Sequence, residues 1–219
     1  MGTITRTFAN NITTSGVFKP TAFNNASFDN VTAVPEGAVE GGSMVLLSTQ
    51  TASASASISF TTGIDSTYKE YMFIHNNIHP SVDNSNFSFQ GSTDGGSSYG
   101  VTITSSSFRA FHNEADSTAT LSYDGTQDLA QSTSYQLLNN EIGTDNDQST
   151  SGILHIFNPS DTTYVKHFIY RGSRYQFNEY HSDHYIAGYF NTTDALNAFD
   201  FKFSSGNIDD GTIQMFGIL

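Results

Sequence analysis

The residues best equipped for chemistry gather in the last third of the chain. Tyr164, His167, Tyr170, Arg171, Arg174, Tyr175, Tyr180, His181, Tyr185 and Tyr189 set a dense group of tyrosines beside two of the four arginines. Aromatic faces stack on sugar rings while arginine bonds hydroxyls, and the same amphipathic side chains anchor protein interfaces. Within this strip Tyr170, Arg171, Arg174, Tyr175, Tyr180, His181 and Tyr185 are the candidates for contact with a surface glycan or with a neighbouring subunit, subunit contact being favoured. A half-buried strand is the competing reading, and the alternation Tyr164, Lys166, Phe168 fits it.

Three other patterns invite a chemical reading, and each has a simpler one. His181-Ser182-Asp183-His184 puts two imidazoles and a carboxylate within four residues. On a loop they could converge on a metal with help from His155 or His167; on a strand His181 and His184 point to opposite faces. Gly96-Ser97-Ser98-Tyr99-Gly100 matches the nucleophile-elbow pattern, but the elbow needs a helix after the serine. Here Val101-Thr102-Ile103-Thr104 reads as a strand, so the glycines are expected to serve positive φ in a turn. Asp145-Asn146-Asp147-Gln148 and Asp209-Asp210 offer hard oxygen ligands, yet the EF-hand spacing of Gly and Glu fails. Asp and Asn favour such turns for their own backbone bonds. Only six residues are Glu, and the acidic residues lie mostly in turns, so a glycosidase pair has little support. The expectation is a protein without catalytic residues, metal or cofactor.

The elements that must carry these residues have period two. Ala52, Ala54, Ala56, Ile58 and Phe60 alternate with serines, which places them on one strand face. Strands are expected near 44–50, 54–61, 68–76, 84–90, 99–105, 108–112, 118–123, 133–139, 151–157, 163–170, 173–179, 184–191, 196–204 and 212–218. Turn clusters such as Asp94-Gly95-Gly96, Asp124-Gly125 and Ser205-Gly206-Asn207 separate them. A single helical turn is expected near 124–131, capped by Asp124 or Thr126. Close strand spacing without helical periods indicates an all-β fold, an antiparallel β-sandwich of jelly-roll type.

Residues 1–43 read differently. Phe18, Phe23 and Phe28 recur every five residues, a spacing that cannot build a core within one extended strand. With Phe8 they suggest an extended N-terminal arm for particle attachment or oligomerisation, or an arm laid over its own sandwich. Val34-Pro35-Glu36-Gly37 and Gly41-Gly42 mark the junction, leaving 44–219 as the sandwich.

The chain has 219 residues and a formal net charge of −13, which argues against nucleic-acid binding by counterion release. It has no cysteine, hence no disulfide and no thiolate chemistry. No apolar run approaches the ~20 residues of a membrane helix, and the opening residues show no apolar signal region.

Several stretches together resemble a known family. They are Gly63-Ile64-Asp65-Ser66-Thr67-Tyr68-Lys69-Glu70-Tyr71, Asn77-Ile78-His79-Pro80, and Gly91-Ser92-Thr93-Asp94-Gly95-Gly96-Ser97-Ser98-Tyr99. The opening Thr3-Ile4-Thr5-Arg6-Thr7-Phe8-Ala9-Asn10-Asn11 and the ending Ser205-Gly206-Asn207-Ile208-Asp209-Asp210-Gly211-Thr212-Ile213-Gln214-Met215-Phe216-Gly217-Ile218 complete the set. They are similar to virion proteins of marine short-tailed bacteriophages, described as structural or tail-fibre-like. The resemblance implies a homo-oligomer, often a trimer, on the exterior of the phage particle beside other virion proteins. The expected function is therefore a non-enzymatic exterior appendage, a tail fibre or receptor-binding tip, contacting the host surface and its glycans. A capsid decoration or head fibre is the first alternative, and a free carbohydrate-binding lectin the second. No membrane insertion is expected.

Overall fold

A computed structural model describes residues 44–219, so the arm and its Phe8, Phe18, Phe23 and Phe28 lie outside the described residues. The first strands are β1 (Met44–Thr51), β2 (Ile58–Phe60), β3 (Glu70–Pro80), β4 (Ser85–Ser92), β5 (Ile103–Asn113) and β6 (Ala119–Tyr123). The second half adds β7 (Gln136–Ile142), β8 (Thr150–Phe157), β9 (Lys166–Tyr175), β10 (Tyr180–Phe190), β11 (Ala198–Phe203) and β12 (Ile208–Ile218). The described residues contain no helix. The strands pair antiparallel into an eight-stranded sheet, β1-β12-β3-β8-β9-β10-β5-β6, and a four-stranded sheet, β2-β11-β4-β7. Two such sheets packed together make a β-sandwich, as the period-two patterning requires.

Phenylalanine fills the space between the sheets. Phe201 of the small sheet has ring centroids of Phe73, Phe60, Phe87 and Phe89 within 5.4 to 6.1 Å. Phe89 meets Phe168 edge-on at 5.2 Å, and Phe73 meets Phe199 at 5.4 Å. Offset and edge-to-face rings of this kind add to the stabilisation that burial alone provides. The solvent side of the small sheet is polar: Ser59 and Tyr135 donate to the two oxygens of Asp200, and Lys202 lies 3.9 Å over the Tyr135 ring.

Four local expectations need correction. Ala54 adopts φ of 50°, so the alternation over 52–60 breaks; Ala52 is buried, Ala54 and Ala56 are exposed, and the strand begins at Ile58. The N–H groups of Ala52, Ala54 and Ser55 bond instead to carbonyls of Gly211, Asp209 and Ile208. The helical turn at 124–131 is a plain turn: Asp124 Oδ1 accepts the Thr126 N–H at 3.2 Å, while Leu129 exchanges bonds with Ser105 of β5. A cap without a following apolar face nucleates no helix. The separate strands expected at 99–105 and 108–112 are one, because Ser105, Ser106 and Ser107 all pair with β10. Those expected at 163–170 and 173–179 also fuse as far as Tyr175, where Gln176–Glu179 turns the chain into β10.

Candidate functional site

The tyrosine-arginine strip forms the β9–β10 hairpin, and the pleat divides it. On β9, Lys166, Phe168, Tyr170, Gly172 and Arg174 face inward; His167, Ile169, Arg171 and Ser173 face outward. On β10, Ser182, His184 and Ile186 face inward, while His181, Asp183 and Tyr185 face outward. The seven candidates are therefore split between the interior and several surface depressions.

The inward group is structural. The Tyr170 hydroxyl accepts from Asn139 Nδ2 at 2.6 Å and lies 2.9 Å from His75 Nε2. Its phenol occupies the space above the cross-strand pair Gly152 and Gly172, where a methyl group on Gly172 would coincide with the hydroxyl. Burial raises the Tyr170 pKa and drives His75 down to about 3, so both are neutral. Arg174 is 1% exposed, with Nη1 2.7 Å from His184 Nε2. Desolvation, helped by the neighbouring charge of Arg109, lowers Arg174 to about 9. Burial first, and the Arg174 charge second, lowers His184 to about 2. Tyr170 and Arg174 are therefore almost wholly buried, each reaching the surface only in the lining of a depression, Tyr170 beside Tyr185 and Arg174 beside Tyr175.

The outward group builds an apolar depression of about 440 Å³. Tyr185 stacks on Phe108 with centroids 4.8 Å apart and planes 2° from parallel. The Arg171 guanidinium covers the other side of Tyr185 at 5.0 Å and is gripped by Asp183, Nη2 to Oδ2 2.9 Å. The Asp183 bond pushes the Arg171 pKa up. Ile153, Ile169 and Ala187 complete the floor.

Register shows how far this apolar face extends. Ile153, Arg171, Tyr185, Phe108 and Tyr123 stand in one cross-strand row over β8, β9, β10, β5 and β6. Met44 and Leu46 on β1, Phe108 on β5, Leu121 and Tyr123 on β6, Ile153 on β8 and Ile169 on β9 point to the same side. That is seven of the eleven large apolar side chains exposed among the described residues, and Leu121 is 73% exposed. Exposed apolar side chains are thus concentrated on one face of the large sheet. Sequence reading missed Phe108, Ile153 and Ile169, although Ile153 and Ile169 sit at outward positions of an alternating pattern.

Tyr175 and His181 lie at the hairpin end, in a separate depression lined also by Ser173, Arg174 and Glu114. Tyr180 packs against Phe111, centroids 5.8 Å apart, beside a third depression with Arg109 and Glu141.

The histidines do not converge. His181 is exposed and His184 buried on opposite faces of β10, as a strand requires. His155 pairs with Glu70, and His167 lies 6.0 Å from the Tyr189 ring. No group of three potential metal-ligating side chains assembles among the described residues. At the serine-rich loop, Gly95 and Gly96 take φ of 74° and 88°. Asp94 accepts from Ser92 Oγ and Ser98 Oγ at 2.6 Å each, which lowers its pKa to about 2. Ser97 donates to the Asp94 carbonyl and has no imidazole partner among the described residues. The acidic turns also close on themselves, Gln148 N–H to Asp145 carbonyl at 2.9 Å and Gly211 N–H to Asp210 Oδ1 at 2.7 Å.

Comparison with known proteins finds no matching family model, no matching curated protein and no matching solved structure.

Proposed function

We propose that this protein is a bacteriophage virion structural protein: a non-enzymatic, homo-oligomeric exterior appendage, a tail fibre or receptor-binding tip, whose copies meet through the outer face of the large sheet. The observation that carries the oligomeric reading is the clustering of seven exposed apolar side chains on that face. The local charge pattern of this face permits a second copy as the occupant. A chain of net charge −13 repels its own copies. On this face Arg171 is already paired with Asp183, and Glu70 is bonded to His155, so identical faces can approach. The virion placement rests on the resemblance of residues 63–71, 77–80, 91–99 and 205–218 to phage virion proteins. Jelly-roll connectivity and attachment through residues 1–43 belong to the same proposal.

Light scattering of the purified chain tests the oligomer: a trimer is expected, and a monomer at working concentration refutes the self-contact. Antibody labelling of virions tests the placement. Label on tails supports the fibre or tip; label on heads supports the decoration alternative; unlabelled particles refute both.

A further inference from the structure

The large sheet has two open edges, because among the described residues no strand pairs beyond β1 or beyond β6. The free N–H and C=O groups of an edge template further pairing, and native edges are blunted by charge, proline, bulges or shortness. Ala119-Thr120-Leu121-Ser122-Tyr123 of β6 holds no charge and no proline. Met44-Val45-Leu46-Leu47-Ser48-Thr49-Gln50-Thr51 of β1 holds none either, and has one register shift, between Leu46 and Ser48. The small sheet is better protected. Its edge strand β2 is three residues long, and β7 carries Glu141 with φ of 56°, whose carbonyl takes the Phe177 N–H at 3.1 Å.

Backbone bonding shows which groups of β6 are free. The Asp124 N–H bonds the Ser107 carbonyl, and the Asn113 N–H bonds the Thr118 carbonyl. Bonded residues alternate along an antiparallel ladder, so Thr118, Thr120, Ser122 and Asp124 turn their backbone groups towards β5. Ala119, Leu121 and Tyr123 turn theirs away from the sheet. Their side chains lie on the outer face, Leu121 73% and Tyr123 61% exposed.

Strand direction selects the partner. Seven antiparallel pairings separate β1 from β6, so the two edges run in opposite directions. Rotation about an axis parallel to the strands therefore brings β1 of one copy antiparallel to β6 of the next, a head-to-tail contact that closes into a ring. With the outer faces turned to the axis, the ring covers their exposed apolar side chains, and each joint sets Met44 and Leu46 beside Leu121 and Tyr123. Pairing β6 with β6 about a twofold axis normal to the sheet satisfies the same backbone groups but leaves both apolar faces in water. Burial of apolar surface favours the ring.

We propose that β6 of each subunit adds to β1 of the next around a threefold axis, joining the eight-stranded sheets edge to edge. This deepens the appendage reading and rests on its claim that copies bury the outer face.

The chain has no cysteine, so engineered thiols report alone. In the full chain Leu121→Cys is combined in turn with Met44→Cys, Leu46→Cys and Thr49→Cys, the outward positions of β1 that different registers set opposite it. At least one pair should give a disulfide ladder ending at a covalent trimer, while each single variant stays at the mass of one chain. Leu121→Pro removes an N–H that its own sheet does not use. It should keep the far-ultraviolet circular dichroism and raise the concentration needed for association by about tenfold or more; if it misfolds, the cysteine pairs decide alone. A covalent dimer from Leu121→Cys alone would show β6–β6 pairing and overturn the proposal. Absence of a cross-link from all three pairs, or wild-type association in a folded Leu121→Pro, also overturns it. If light scattering still reports a trimer in that case, the edge joint falls and the outer-face reading stands; a monomeric wild type strikes both.

Discussion

His75 and His184 are the residues through which acid should reach the core. Both are buried, and both are held neutral, His75 near 3 and His184 near 2, chiefly because burial penalises the imidazolium. Arg174 and Arg109 add repulsion at His184, and Asp124 only partly offsets it. In the unfolded chain a histidine titrates near 6.5. Below that pH the unfolded state takes up protons that the folded state refuses, so stability is complete above about 6.5 and falls as pH drops toward the folded values. The slope is about 1.4 kcal/mol per pH unit for each histidine. Asp94, whose pKa is lowered from an ordinary value of 3.8, adds its own loss only at lower pH. Urea midpoints taken between about pH 7.5 and 4.5 should therefore fall steadily on acidification. His75→Gln should remove about half of that slope, and a pH-independent midpoint in the wild type would refute the buried neutral pair.

At the scale of the strand, position decides what a phenylalanine does. Phe201 and Phe108 are the same residue on opposite sides of their sheets. Phe201 is fully buried against Phe60, Phe73, Phe87 and Phe89, so Phe201→Ala should cost ~3–5 kcal/mol of unfolding free energy. Phe108 is 44% exposed, so Phe108→Ser should cost the monomer ~0.5 kcal/mol and act on self-association instead. Denaturant melts of the two variants check this contrast. Short β-branched and aromatic runs between turn clusters made the sandwich and most of its strands legible in the sequence, and Lys166 through Tyr175 alternate between buried and exposed as a strand requires. What alternation could not give was which face met the second sheet. Arg174 read as a surface-contact candidate, yet it points inward, on the same face as Lys166, whose Nζ bonds the Tyr164 carbonyl at 2.9 Å. The seven site candidates divide between interior and surface for the same reason, since neighbours in sequence lie on opposite faces. Ala54 was beyond pattern reading altogether, because a positive φ at alanine answers to tertiary bonds along β12 rather than to local preference.

The whole molecule carries its charge and its apolar face in tension. The net charge of −13 makes every approach of two copies repulsive at long range, while the proposed self-contact would bury the exposed apolar side chains of β1, β6, β5, β9 and β8. Salt acts on these terms differently. The Debye length is about 30 Å at 0.01 M and about 8 Å at 0.15 M, so added salt removes the repulsion between whole subunits and leaves apolar contact intact. Arg171–Asp183 and His155–Glu70 are pairs within one subunit, so screening them breaks no bond between copies. Self-association should therefore strengthen with ionic strength: sedimentation velocity should show dissociation near 0.01 M salt and the oligomer at ~0.15 M and above. The opposite trend, an oligomer that falls apart as salt rises, would mean that ion pairs between subunits hold it together, and the apolar face of the large sheet would then have to be reassigned.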